Sequence, residues 1–240
     1  MNALIGLLVF ASTYGLTTGF HRLAVWVPIL DRPNSRSLHR RVIPRTGGLA
    51  MLVSGLVGGC LTGFLMPGAW VTLVSLLCGL VPLGVVAIID DWRGIRFQWR
   101  LLAHICVAAG LALAGFVPNP LELPGFDWLL PEWLAVFLVL VIAVWMINLY
   151  NFMDGMDGFA AGMAVIGFST LAWLGRADEP FASICLIVAA ASAGFLAHNF
   201  PPAKIFMGDT GSTALGFLAA ACSLWGSKSG LFPFWVAILV

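Results

Sequence analysis

The chain has 240 residues, 60% of them hydrophobic and only 10% charged, and its net charge is +1. Soluble domains carry about 25% charged and about 45–50% apolar residues, so this composition excludes an ordinary soluble fold. A charge so close to zero says little about partners, and no nucleic-acid partner is expected.

In chain order, apolar runs bounded by charges or Pro/Gly breaks predict spans over 3–26, 47–66, 69–89, 99–117, 133–149, 159–174, 181–197 and 212–226. No basic stretch precedes the first run, and His21-Arg22 follow it, so it reads as a retained helix and not a cleaved signal peptide. No residue from Gly47 to Ile89 is charged, which leaves room for two spans joined at Met66-Pro67-Gly68. A last apolar segment starts at Leu231 and stops at Val240, too short for a helical crossing. A truncated segment is favoured there over a re-entrant one. The expected fold is all-α: a polytopic transmembrane helical bundle of eight full spans plus a truncated ninth segment, one integral-membrane domain over 1–240. A membrane β-barrel would show alternating segments of about 10 residues instead. The five cysteines (Cys60, Cys78, Cys106, Cys185, Cys222) lack metal-ligand spacing and are expected as small buried hydrophobes.

Eight spans place loops 31–46, 90–98, 150–158 and 198–211 on one side. With the flanking Arg22 and Arg100, that side holds 10 of the 12 Lys+Arg residues. Positive residues mark the cytoplasmic face, so these loops are expected inside and the amino terminus outside. Asp31, Asp90, Asp91, Asp154, Asp157 and Asp209 share that face, whereas Glu122, Asp127, Glu132, Asp178 and Glu179 read as solvated charges of the outer loops.

Four stretches on the inner face can carry chemistry. "DRPNSRSLHRRVIPRTGG", residues 31–48, serves as an orientation signal, and its arginines also suit phosphate or pyrophosphate through forked donors. "AIIDDWRGIRFQWR" sets Asp90 and Asp91 at the carboxyl end of an apolar helix, where the dipole disfavours anions and adjacent carboxylates repel. Either they cap the membrane boundary with Arg93 and Arg96 as partners, or a cation, metal or transferred proton offsets the cost.

"NLYNFMDGMDGFAAG" repeats polar groups every third residue: Asn148, Asn151, Asp154 and Asp157. Asp157 taken singly fits an N-cap for a helix from Phe159, and Asp154-Gly155 fits a turn. Continued as helix, the four side chains drift slowly around one face and point into one cavity, with oxygens suited to Mg2+. In "HNFPPAKIFMGDTGS", residues 198–212, Pro201-Pro202 break one helix and Thr210 or Ser212 is the expected N-cap of the next. Asp209 suits a metal, and the helix start suits a phosphate. Phe206 reads either as a base-stacking aromatic or as a lipid anchor. Carboxylates, arginines and Mg2+ at one membrane face are the parts of metal-dependent phosphoryl transfer involving a lipid.

"DD" after the third span, "NxxNFMDGxDG" and "NFPPAKIFMGDTGS", in this order, resemble the polyprenyl-phosphate N-acetylhexosamine-1-phosphate transferases, glycosyltransferase family 4. "DRPNSRSLHRRVIPRTGG" and "WRLLAH" look most like the O-antigen-initiating branch. The resemblance covers essentially the whole chain. It implies a Mg2+-dependent transfer of sugar-1-phosphate from a UDP-N-acetylhexosamine to undecaprenyl phosphate, releasing UMP and starting lipopolysaccharide-type surface glycans. It implies a multi-pass protein of the bacterial inner membrane with a cytoplasmic site; a homodimer is compatible with it.

Carried over by resemblance, Asp209 is the metal-binding aspartate and Asn151 a second contributor. Asp90 and Asp91 match the pair that binds or deprotonates the lipid phosphate. Asn148, Asp154 and Asp157 match residues around the nucleotide and catalytic centre, Asn199 matches a polar motif position, and Phe206 matches the aromatic that stacks on uracil. Arg45 is assigned to substrate binding. The family's basic residue after the paired aspartates corresponds to Arg93, Arg96 or Arg100, with Arg100 taken as the substrate-binding member. The family's later His- and Arg-rich loop lies beyond this sequence, so a chain lacking its C-terminal spans and last cytoplasmic loop is expected. Two other readings compete. A CDP-alcohol phosphatidyltransferase fits poorly, because Ala161 stands where that pattern has Arg. A secondary transporter would place its acids nearer the midplane.

Overall fold

The structure, a computed structural model, describes residues 2–23, 29–31, 33 and 42–238. Arg32, Arg36, Arg40 and Arg41, four of the arginines expected to suit phosphate, lie outside the described residues. Among the described residues eight long helices follow one another: α1 (Asn2–Arg22), α2 (Gly47–Leu65), α3 (Trp70–Arg93), α4 (Phe97–Leu113), α5 (Glu132–Met153), α6 (Phe159–Leu174), α7 (Glu179–Asn199) and α8 (Gly208–Lys228). A short α9 (Phe234–Ile238) comes after them. The strands form two small antiparallel hairpins, β1 (Leu30–Asp31) with β2 (Ile43–Pro44), and β3 (Leu121–Leu123) with β4 (Phe126–Trp128). No sheet closes among them, and the architecture is that of an all-α membrane protein.

Five segments are long and apolar enough to cross a membrane: α1, α2, α3 with its preceding turn, α5 and α7. The helices α4 and α6 are apolar but shorter. Helices α2 to α6 turn large apolar side chains outward, as Val57, Phe64, Val71, Leu113, Trp145 and Ile166 do. That outward face suits hydrocarbon and not water.

The helix α8 is the exception that organises the bundle. It is rich in Gly, Ala, Ser and Thr and is buried along almost its whole length against α2, α3 and α5. Small side chains let helix backbones approach closely, and a helix surrounded by protein does not need a greasy surface. The approach is tightest at Gly48 of α2. A Cβ there would lie 2.2 Å from the Gly211 nitrogen and 2.4 Å from the Met207 carbonyl oxygen. Those are main-chain atoms and cannot swing aside, so the α2–α8 crossing requires glycine.

Several helix ends depart from the limits set by apolar runs. The helix α3 continues to Arg93, α5 continues to Met153, and α8 begins at Gly208, so Asp90, Asp91, Asn151 and Asp209 are all helical. Their polar groups are satisfied by neighbouring helices, and hydropathy therefore stops marking where the helix stops. The first helix is described to Arg22, and residues 24–26 of the expected span lie outside the described residues. Cys60, Cys78 and Cys106 are exposed on the outer face, and only Cys185 and Cys222 are buried as expected. A thiol is apolar enough to sit on a hydrocarbon-facing surface, so its position in an apolar run does not reveal which way it points.

Candidate active site

The site grows from the amino terminus of α8. The first N–H groups of any helix lack intrahelical acceptors and carry the positive end of the helix dipole. Here carboxylates from two other helices close that end. Asp91, in the last turn of α3, accepts from the Asp209 N–H at 2.9 Å, the Thr210 N–H at 2.9 Å and the Thr210 hydroxyl at 2.6 Å. Asp154, at the carboxyl end of α5, accepts from the Gly208 N–H. Neither Thr210 nor Ser212 is the N-cap expected from the sequence. The helix starts earlier, after Met207, and the Ser212 hydroxyl bonds back to the Gly208 carbonyl at 3.1 Å. Gly208 itself sits at φ +69°, and a Cβ on it would lie 2.8 Å from both Asp91 oxygens and 2.9 Å from the Arg45 carbonyl. Backbone conformation and crowding both demand glycine there.

Asp90 faces a different partner. Its Oδ1 accepts from the Ile95 N–H at 2.6 Å, and its Oδ2 lies 3.0 Å from Arg100 Nη1. The same nitrogen lies 3.1 Å from Asp209 Oδ2. Of the three basic candidates, then, Arg100 joins the carboxylates. Arg93 instead stacks on Trp92 at 4.5 Å, and Arg96 occupies the N-cap position of α4. The boundary-cap reading of the pair, with Arg93 and Arg96 as partners, is corrected accordingly.

The four-residue repeat does not line one cavity, because the helix carrying it ends at Met153. Asn148 turns to α4: its amide nitrogen donates to the Val144 carbonyl at 2.7 Å and lies 3.4 Å from His104 Nδ1. Asn151 stays half-buried in the last turn of α5, one turn before Asp154. Asp157 lies in the following turn, where its carboxylate accepts from the Ala203 N–H at 2.9 Å. It is not the N-cap of α6; Gly158, at φ +72°, holds that position.

Asn199, buried at 2% exposure, accepts from the Gly158 N–H at 2.9 Å and donates to the Ile205 carbonyl at 3.0 Å. Both ends of its amide are taken by main chain, so it clamps two loops together. Phe206 is half-buried, and its main chain bonds Pro44 and Gly47 at 2.8 and 3.0 Å. These links tie Pro44 and Gly47 to the segment that leads into α8.

Asp90, Asp91, Asp154 and Asp209 thus gather at one end of the bundle with Arg45 and Arg100. Burial holds the Asp154 carboxyl well above the usual carboxylate range. The Arg45 charge pulls it down, and the charges of Asp209 and Asp91 push it up again. With Asp154 holding its proton, the carboxylates of Asp90, Asp91 and Asp209 still outnumber the two guanidinium groups, an excess of negative charge that suits a divalent cation. Among the described residues no three His, Cys, Asp or Glu side chains converge tightly enough to enclose a metal. Carboxylate oxygens are the hard donors that Mg2+ takes, one or two of them with substrate phosphates and water completing its shell.

Sequence reasoning singled out neither His104 nor Thr210 as part of this network. His104 follows Arg100 by four residues in "WRLLAH", a spacing that puts both on one helix face. Thr210 gave no signal beyond its candidacy as a cap, since its partner lies 119 residues away.

The family model described as glycosyl transferase family 4 matches residues 73–227. A probable undecaprenyl-phosphate N-acetylglucosaminyl 1-phosphate transferase of Bacillus subtilis is 34% identical over 90% of this chain and 61% of its own length. A decaprenyl-phosphate N-acetylglucosaminephosphotransferase of Mycobacterium tuberculosis is 33% identical over 92% of this chain and 59% of its own length. A phospho-N-acetylmuramoyl-pentapeptide-transferase of a Synechococcus strain is 32% identical over 88% of this chain and 64% of its own length. The chain therefore spans less than two thirds of the length of these relatives. The matched region of the family model runs from α3 into α8 and includes every carboxylate of the gathered site, and the chain belongs to glycosyl transferase family 4.

Proposed function

We propose that this protein transfers a sugar-1-phosphate from a UDP-N-acetylhexosamine to undecaprenyl phosphate, releasing UMP. The observation that carries this reading is the meeting of Asp90, Asp91, Asp154 and Asp209 with Arg45 and Arg100 at one end of an apolar bundle, in a chain of this family. A lipid phosphate can reach such a site from the bilayer while a nucleotide sugar arrives from water. The asymmetry of the basic residues supports a cytoplasmic site in a bacterial inner membrane, with eight spans and the amino terminus outside. Resemblance of the 31–48 and "WRLLAH" stretches supports the start of O-antigen-type glycans as the pathway class.

In this reading Asp209 and Asp154 would hold Mg2+, with Asn151 one turn back on α5. When bound, the ion neutralises charge on the donor diphosphate. Arg45 and Arg100 supply the remaining positive charge for the two anionic reactants. Asp90 positions the acceptor phosphate, one of whose oxygens attacks the β-phosphorus of the donor. The bond from that phosphorus to the bridging oxygen breaks, and UMP leaves with the electron pair. Asp91 holds the start of α8, and with it Asp209, in place. Phe206 lies on the same loop as a platform for the base.

The test uses purified chain in detergent with a UDP-N-acetylhexosamine. UMP release should require both Mg2+ and polyprenyl phosphate, and Asp209→Asn should abolish it. Release that persists without lipid, or in Asp209→Asn, would sink the proposal. A panel of UDP-sugars in the same assay identifies the donor.

A further inference from the structure

One nitrogen of Arg100 lies between Asp90 and Asp209, at 3.0 and 3.1 Å. We infer that Arg100 is a positioning residue that competes with the divalent cation for Asp209 and passes to the substrate phosphates once the cation is bound. The inference rests on the metal role proposed above for Asp209.

Three features of the chain support it. Arg100 occupies the first turn of α4, where the helix dipole disfavours a cation, and that helix start has no side-chain cap. The two carboxylates are therefore what hold the guanidinium in place, and weakening one of them weakens its hold. Its side chain remains 30% exposed, on a long flexible stem, whereas Asp90 and Asp209 are 7% and 15% exposed. The cation that must move is thus the mobile partner, and the carboxylates are the fixed ones. Asp209 is fixed twice over, because its own N–H is anchored on Asp91 and its carbonyl accepts from the Thr213 hydroxyl at 2.7 Å.

A divalent ion on Asp209 and a guanidinium beside the same carboxylate repel each other directly. Entry of the ion then turns Arg100 away from Asp209, with Asp90 as its remaining tether. Phosphate oxygens arriving with substrate offer the displaced guanidinium a second set of forked acceptors.

Binding of Mn2+ alone, with no nucleotide sugar or lipid, reads this competition without any turnover. The full chain in detergent is titrated as wild type, Arg100→Met and Arg100→Gln. Both variants should bind Mn2+ about tenfold more tightly than wild type, within the range usual for coupled sites. With Mg2+ present, both should bind UDP about tenfold more weakly than wild type. Thermal melts with and without Mn2+ show whether each variant is folded, and the second variant stands in if the first is not. Mn2+ affinity that is equal to wild type, or weaker, overturns the competition while leaving the metal role intact. Absence of Mn2+ binding in all three proteins overturns the competition and the metal role together.

Discussion

Replacing Asp91 separates a residue that holds a helix from one that performs chemistry. Asp91→Ala deletes the acceptor for two main-chain N–H groups and one hydroxyl at the start of α8. Loss of an Asp N-cap costs about 0.5–2 kcal/mol. Half-buried donors left without an acceptor add about 1–3 kcal/mol. Because these contributions overlap, about 2–4 kcal/mol is the expected total. For a chain of this size each kcal/mol lowers Tm by about 2–4 °C, so the alanine variant should melt roughly 4–16 °C below wild type. Asp91→Asn keeps one acceptor oxygen, gives up the charge and turns its amide N–H group towards donors that the other oxygen accepted, so a loss of about 1–2 kcal/mol, smaller than for alanine, is expected. Melts followed by tryptophan fluorescence in detergent measure both. Two results would refute the reasoning: an alanine variant as stable as wild type, or an asparagine variant as damaged as alanine. Activity gives the second reading, since Asn should retain measurable UMP release if Asp91 only positions Asp209, and should not if its charge takes part in the reaction.

The same clamp can be broken from its other side. Gly208→Ala forces an L-residue to φ +69° and sets a methyl 2.8 Å from both Asp91 oxygens, so a loss exceeding the roughly 1–2 kcal/mol of left-handed backbone is expected, larger than for Asp91→Asn, and a melt equal to wild type contradicts it. Asp154 should make stability depend on pH. Because its folded-state pKa lies above the ordinary value, the folded chain keeps a proton that the unfolded chain has already released. Stability in EDTA should therefore fall as pH rises from about 4 towards neutrality, the window above the ordinary carboxylate pKa. Asp154→Asn should flatten that slope, and added Mg2+ should protect wild type at neutral pH more than the variant. Identical slopes would count against it.

The course of the helices was legible because hydrocarbon-facing helices must be apolar, and the breaks at Pro67-Gly68 and Pro201-Pro202 interrupt that signal cleanly. The gathering of acids at one end was legible for the same reason, as a consequence of counting crossings. Contacts between helices were not. Nothing in "DD" distinguishes the carboxylate that takes three donors of α8 from the one that faces Arg100, because those partners are brought up by the fold. The repeat of Asn148, Asn151, Asp154 and Asp157 looked like one face because periodicity was extended past Met153, where glycines allow the chain to turn. Asn199, a polar motif position by resemblance, has the same sequence signature whether a buried amide binds a molecule or joins two loops.

The basic loop is joined to the start of α8 through main-chain atoms: Pro44 with Phe206, Gly47 with Phe206, and Gly48 with Met207. Such seams are indifferent to side-chain identity except where glycine is needed for space. If the chain acts as proposed, the side chains that a sugar or base would meet can therefore be exchanged while the main-chain seam at residues 44–48 and the placement of Asp209 stay the same. Under the proposed function, a change of donor needs surface substitutions alone and leaves the start of α8 untouched.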